Sequence, residues 1–173
     1  LGIAYGFMAV EAVNQGLDRI WTMQTLGGGL AYWPGGRSAE LWASAYGALV
    51  LELAQRCAYR VPQDREARLL NYLSESLRGS AELQDPPALA DRCWVLLALA
   101  LAGRPEAAYQ EILFQKRDLL SIESRAVLAL AWTHSQGPPE KLSELLLPKK
   151  AAAPAPSWFG GPAREQALQL LAW

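Results

Sequence analysis

Histidine and cysteine are nearly missing from this chain of 173 residues, which has one histidine and two cysteines. Cys57 and Cys93 are too few for a disulfide framework and too far apart in sequence for a paired metal motif. A single histidine, His134, cannot supply a zinc site of the usual kind without help from thiols or acids. No apolar run reaches the roughly 18–20 residues that span a bilayer. Leu1 to Val10 lacks the basic flank of a signal peptide. Net charge is −1 with both signs interspersed, so no basic block marks a nucleic-acid partner and no acidic tail is present. The chain opens on Leu1 and closes on Trp173 inside an apolar run, and is therefore expected to be part of a longer protein.

What remains is 51% hydrophobic and 19% charged, the balance of a chain that buries a core. Leu/Ala-rich segments recur at Ala48–Ala54, Val95–Leu101, Ala126–Trp132 and Ala167–Trp173, their starts 47, 31 and 41 residues apart. Such a period suggests a two-helix repeat whose neighbours bury what one unit cannot. Four helices, apolar on most sides, are expected at 40–58, 88–102, 122–135 and 163–173 as the inner members of the array. More polar helices alternate with them. In the clearest, Leu69, Leu70, Leu73 and Leu77 form a stripe while Arg65, Arg68, Glu75 and Arg78 point away. Others are expected from Pro105 to Gln115 and from Pro139 to Leu146. A first helix from about Phe7 to Thr25 presents Val10, Val13, Leu17, Ile20, Trp21 and Gln24 on a broad face.

Punctuation agrees with this pattern. Asp85 before Pro86 reads as an N-cap with proline at the first helical position, and Ser121 as the cap of the third inner helix. Gly103 and Gly137 stand where helices end on a left-handed residue. The Pro/Ala alternation of 148–157 reads as an extended connector within a single domain of 1–173. No stretch reads as a strand. The fold expected is all-α, either an α/α toroid or a partial ring of helical hairpins. A full six-hairpin ring would need on the order of 250–300 residues at about 40 per repeat.

The most distinctive stretch is Asp18-Arg19-Ile20-Trp21-Thr22-Met23-Gln24-Thr25-Leu26-Gly27-Gly28-Gly29-Leu30-Ala31-Tyr32-Trp33-Pro34-Gly35-Gly36, followed by Glu40-Leu41-Trp42-Ala43-Ser44-Ala45-Tyr46. It consists of a helix ending at Gln24, a turn through Gly28 and Gly29, the pair Tyr32–Trp33, Pro34-Gly35-Gly36, and a helix opening on Trp42 and Tyr46. It resembles the α/α-toroid domain of bacterial alpha-macroglobulins, and the likeness extends through Tyr59-Arg60-Val61-Pro62 and more loosely along the later helices. The glycines permit a tight reversal, after which Tyr32 and Trp33 are expected to plug the end of the ring. The other reading of those aromatics is a shelf for carbohydrate or isoprenoid, since terpene cyclases, prenyltransferases and some glycosidases use related toroids.

The resemblance implies a protease-trapping inhibitor rather than an enzyme, periplasmic or at the cell surface, whose partners are other domains of the parent protein and target proteases. Thioester-bearing relatives carry a Gly-Cys-x-Glu-Gln run before the glycine-rich hairpin. Cys57 is followed by Ala58-Tyr59-Arg60 and Cys93 by Trp94-Val95-Leu96, so neither is that cysteine, and the run is expected upstream of Leu1 or not at all. Some relatives place a histidine near the start of the second inner helix, where this chain reads Asp85-Pro86-Pro87-Ala88-Leu89-Ala90-Asp91. No catalytic, cofactor or metal-binding residue is assigned. Glu40, Asp85 and Glu123 open inner helices and are read as caps or first-turn acids; a paired-acid glycosidase is the enzyme alternative, and a helical-repeat scaffold the third. His134 is read as a helix-end residue, and the cysteines as buried free thiols at opposite ends of their helices. Apolar faces left uncovered make self-association of the chain a further expectation.

Overall fold

In the computed structural model the structure describes residues 2–79, 84–147 and 161–172, with side chains described outside 2–7 and 162. Among them the secondary structure is eight α-helices and one 3-10 turn: α1 (Gly2–Thr22), α2 (Leu41–Arg56), α3 (Gln63–Ser76), α4 (Pro86–Leu101), α5 (Ala107–Gln115), the turn Arg117–Leu119, α6 (Ile122–His134), α7 (Pro139–Leu146) and α8 (Pro162–Ala172). No strand is present among the described residues; a single antiparallel bridge joins Gln24 and Leu30. The class is all-α, and each Leu/Ala-rich segment lies on a helix within two residues of its expected bounds. The connector expected at 148–157 lies outside the described residues, as does Trp173 at the end of the fourth expected helix.

The chain divides into two compact units, Leu1–Leu73 and Ser74–Trp173. In the first, α2 buries Ser44, Ala45, Gly47, Ala48, Leu51 and Ala54, a face of mostly small side chains that lets neighbouring backbone come close. The methyl of Leu30 fills the space where Gly47 would carry a Cβ. On α3, Asp64 and Glu66 occupy the first turn, where the helix dipole favours acids. Leu69, Leu70 and Leu73 are buried there, and Leu77 is buried just beyond its end, while Arg65, Arg68, Glu75 and Arg78 are exposed as their spacing requires.

The first helix departs from expectation at both ends. It begins at Gly2 and stops at Thr22, because Met23, Gln24 and Thr25 turn into the hairpin. Of its expected face only Leu17 and Trp21 are buried; Val10 and Val13 are exposed. Among the helix's described side chains, burial is confined to the last turns, those that meet the hairpin.

The second unit is centred on α4 and α6, which pack on one another; α6 also meets α7 and α8. From Val95 to Ala100 every residue of α4 is buried, and α6 is buried from Ser124 to Ala129. Helices of this kind carry no wet face. Asp85 caps α4 by accepting from the Ala88 N–H at 3.3 Å, and Ser121 Oγ caps α6 by accepting from the Ser124 N–H at 3.2 Å.

Three helices end in the same way. The Arg104 N–H donates to the Leu99 carbonyl and the Gly103 N–H to that of Ala100, with Gly103 at φ 70°. Tyr59 and Ala58 repeat this at the end of α2, and Gly137 and Gln136 at the end of α6. This is the Schellman pattern, whose left-handed seat favours glycine. Gly103 occupies that seat as expected. Gly137 does not, since the left-handed residue is Gln136 at φ 55°. The glycine lies one position later for a steric reason, because a Cβ on residue 137 would overlap the indole of Trp132.

Candidate functional site at the glycine-rich hairpin

The hairpin from Gln24 to Gly36 is built against α2 and α3. The Thr25 N–H donates to the Gly29 carbonyl at 2.8 Å, and Thr25 Oγ1 donates to the same oxygen at 3.0 Å. The Ala31 N–H donates to the Met23 carbonyl at 2.8 Å, closing the reversal. Gly28 adopts φ 93°, and a Cβ there would stand 2.5 Å from the Arg68 carbonyl oxygen. A Cβ on Gly29 would stand 2.6 Å from the ring of Tyr72 and 2.7 Å from Ala39. At these two positions the turn needs glycine for conformation and for space.

Gln24 locks the loop to α3. Its Nε2 donates to the Gly28 carbonyl at 3.0 Å and to the Arg65 carbonyl at 2.8 Å. On the α2 side, the Leu30 N–H donates to Ser44 Oγ at 2.8 Å, and that hydroxyl donates to the Glu40 carbonyl at 2.7 Å. The Glu40 N–H returns to the Leu30 carbonyl at 2.8 Å. Leu30 and Ala31 are buried beneath this frame. Gly36 sits where a Cβ would meet Ala31 at 2.6 Å; Gly35 takes φ 74° in open space.

The aromatics are not a plug. Tyr32 is 56% exposed, Trp33 68% and Trp42 38%. They form an edge-to-face row: Tyr32 to Trp33 at 4.9 Å between centroids, Tyr32 to Trp42 at 6.2 Å, and Trp42 to Tyr46 at 6.4 Å. Pro34 and Gly35 complete the exposed tip. The buried aliphatic pair Leu30–Ala31 does the work expected of the rings, which leaves the rings at the surface. Such a row offers apolar area with polar edges.

All ten hairpin residues singled out in the sequence thus lie in one unit, on the loop or the first two turns of α2. Sequence reasoning missed the α3 wall made by Arg65, Arg68 and Tyr72, and the Ser44 hydroxyl. Burial raises the Tyr72 phenol above its ordinary range, and the charge of Glu40 adds to the shift. Nothing local announces α3 as the wall, since it lies some forty residues along the chain.

The three acids considered for catalysis have separate surroundings. Glu40 is the N-cap residue of α2, yet its side chain makes no capping hydrogen bond. Asp85 caps α4. Glu123 is half-buried in the first turn of α6 and pairs with Arg164 at 2.9 Å; burial raises its carboxyl, and the guanidinium partly opposes the shift. His134 is exposed in the last turn of α6. Cys93 is buried as expected, whereas Cys57 at the end of α2 is exposed. Both are free thiols.

No family model matches the chain, and no curated protein does. Solved structures do match. The native alpha-2-macroglobulin of Escherichia coli, from domain MG7 to the C-terminus, superposes with TM-score 0.76 at 23% identity, over 91% of this chain and 27% of that one. The Salmonella alpha-2-macroglobulin reacted with methylamine gives 0.73 at 23% identity, over 88% of this chain and 11% of that one. Trypsin-activated alpha-2-macroglobulin from E. coli gives 0.74 at 23% identity, over 91% and 11%. The chain thus spans about a quarter of the first of these and about a tenth of the others. At this identity the likeness is one of fold. The chain has the all-α fold of a segment of bacterial alpha-2-macroglobulin, the resemblance its hairpin residues carry.

Proposed function

We propose that this chain is a helical domain of the alpha-macroglobulin family, serving a larger protein that restrains proteases by physical entrapment. Its own part is to bind and brace neighbouring domains, without a catalytic step. The observation that carries the reading is the fold match over 91% of the chain at TM-score 0.76, to a protein whose trypsin- and elastase-treated forms are described as activated. The residues of the hairpin agree with it independently. The α/α-toroid arrangement, the reading of 1–173 as one domain and a periplasmic or cell-surface location belong to the same proposal. A covalent, thioester-based trap would depend on sequence outside this chain, because neither Cys57 nor Cys93 is followed by the required glutamine.

The test uses the full parent protein. A caged protease still meets small peptides that diffuse in, but not a folded protein substrate. Incubation with a protease should therefore spare cleavage of a small chromogenic peptide and suppress cleavage of a large protein. Equal loss of both activities, or of neither, would defeat the trapping proposal. Intact mass with and without methylamine then separates two mechanisms. An adduct with one newly titratable thiol means covalent capture; unchanged mass and thiol count mean entrapment alone.

A further inference from the structure

The first unit holds an open groove of about 550 Å³ between α1 and the chain that enters α3. One wall is a single face of α1: Asn14, Leu17, Asp18 and Trp21 stand at helical spacings of three, one and three. The other wall is Arg60 and Pro62, alternating on the non-helical chain before α3, with Asp64 in the first turn of that helix. Leu17 and Trp21 are buried and make an apolar floor, while Asn14, Asp18, Arg60 and Asp64 are exposed and make a polar rim. The charges on this rim are not spent on one another. Among the described residues Asp18 and Arg60 form no ion pair, and Asp64 meets Arg68 only at 4.0 Å between two exposed side chains. One face of the Trp21 ring is already taken by a cation, the Arg65 guanidinium 6.0 Å from its centroid.

The lining decides among ligand classes. A simple cation would leave Arg60 unmatched, a simple anion would meet two carboxylates, and an apolar group would leave all three charges unmatched. What matches the whole groove is a cation and a carboxylate joined by an aliphatic stem. We infer that the groove binds arginine or lysine bearing a free α-carboxylate, either as the free amino acid or as the last residue of a peptide. Asp18 and Asp64 receive the cationic group, which arginine can offer as a two-pronged donor. Arg60 receives the carboxylate, with the Asn14 amide as a second donor. The methylene stem lies on Leu17, Trp21 and Pro62, the way such stems cover apolar surface. A volume of this size is that of a small-molecule pocket. Val10, four residues before Asn14 on the same face of α1 and 47% exposed, prolongs the floor toward the preceding residues of a peptide. The proposal concerns the chain itself and does not rest on protease trapping.

The test is an NMR titration of the nitrogen-labelled 173-residue chain with N-acetyl-Ala-Ala-Arg carrying a free carboxylate. The Trp21 indole and Asn14 amide signals should shift and saturate with a Kd of about 0.1–1 mM, the range of a few charge-assisted contacts at an open site. The same peptide ending in an amide, or in norleucine, should each bind about tenfold more weakly, the scale of one hydrogen bond to a charged group. Asp18→Asn and Arg60→Gln should each weaken the parent peptide by a similar factor with far-UV helicity kept, since both side chains are exposed. Glu75→Gln, on the exposed side of α3, should change nothing. Free arginine separates the two sources: binding as tight as the peptide identifies the amino acid, and weaker binding identifies the chain end. No saturable shift up to about 10 mM overturns the proposal. So does equal affinity for acid, amide and norleucine peptides, or full affinity in both the Asp18 and the Arg60 variants.

Discussion

The indole of Trp132 occupies the space that a side chain on residue 137 would need, and the Gly137 N–H donates to the Trp132 carbonyl at 2.9 Å. The same residue thus sets both the ring and the turn that covers it. Trp132 is 4% exposed and lies 5.5 Å from Phe114, edge to face. Gly137→Ala should force the ring from this seat and destabilise the chain by about 2–3 kcal/mol, the scale of overpacking in a close-packed core. Urea unfolding followed by tryptophan fluorescence reads it. A loss below about 0.5 kcal/mol would mean the ring has room to move.

The two non-glycine residues in left-handed seats lead to the opposite prediction. Ala58 at φ 62° and Gln136 at φ 55° each carry a Cβ where glycine is preferred. Ala58→Gly and Gln136→Gly should each stabilise by about 0.5–1 kcal/mol, less than the full left-handed cost because glycine loses more freedom on folding. Gly103→Ala should do the reverse by a similar amount. Thermal melts of the three variants should rank in that order, and a stabilising Gly103→Ala would contradict the account.

Gln24 bridges the Gly28 carbonyl of the hairpin and the Arg65 carbonyl of α3. Gln24→Ala should cost about 1–2 kcal/mol, one net hydrogen bond or two. Gln24→Glu should cost more at neutral pH, because a carboxylate accepts and cannot donate to either oxygen. If alanine proves worse than glutamate, Gln24 acts through packing instead.

The two thiols differ in burial, and their reactivity should follow. Burial pushes the Cys93 thiol well above the ordinary range, with the charge of Asp91 adding to it, so its thiolate is scarce at neutral pH. Cys57 is exposed. Titration with a chromogenic disulfide should show one fast equivalent in the native state and a second only on unfolding. Two fast equivalents would mean that α4 opens readily.

Stability should also fall with rising pH in one local respect. Glu52 is raised by burial first and by the charge of Glu66 second; Glu66 is itself raised by burial. A carboxyl whose folded pKa exceeds its unfolded value favours the native state when protonated. Its contribution is present below the unfolded value near 4.5 and is lost as pH climbs through the folded one. Glu52→Gln should therefore raise the urea midpoint at pH 7 and shift it little at pH 4. A gain of equal size at both pH values would point to a cause other than charge.

Helix identity was legible because the signals are local. Leucine–alanine runs, Asp85-Pro86 and Ser121 mark elements through residues a few positions apart. α7 begins and ends at Pro139 and Leu146, as its pattern implies. What was not legible depended on neighbours distant in sequence. Val10 and Val13 have the period of a buried face, but a period states which residues align and not whether anything covers them. Tyr32 and Trp33 have the bulk of a plug, yet Leu30 and Ala31 fill the space. Gly137 reads as a left-handed residue until Trp132 is placed beside it. Within the candidate site, the loop residues could be named in advance, whereas their wall on α3 could not.

The bond from Gln24 to the Arg65 carbonyl spans 41 residues. It makes the hairpin a long-range structure. A loop of seven residues from Gln24 to Leu30 costs little chain entropy to close by itself. Here the reversal also rests on α3, which supplies the Arg65 carbonyl, the ring of Tyr72 and the backbone at Arg68. The most local-looking motif in the sequence therefore depends on a helix some forty residues away, and its integrity reports on the docking of α3 as well as on its own turn.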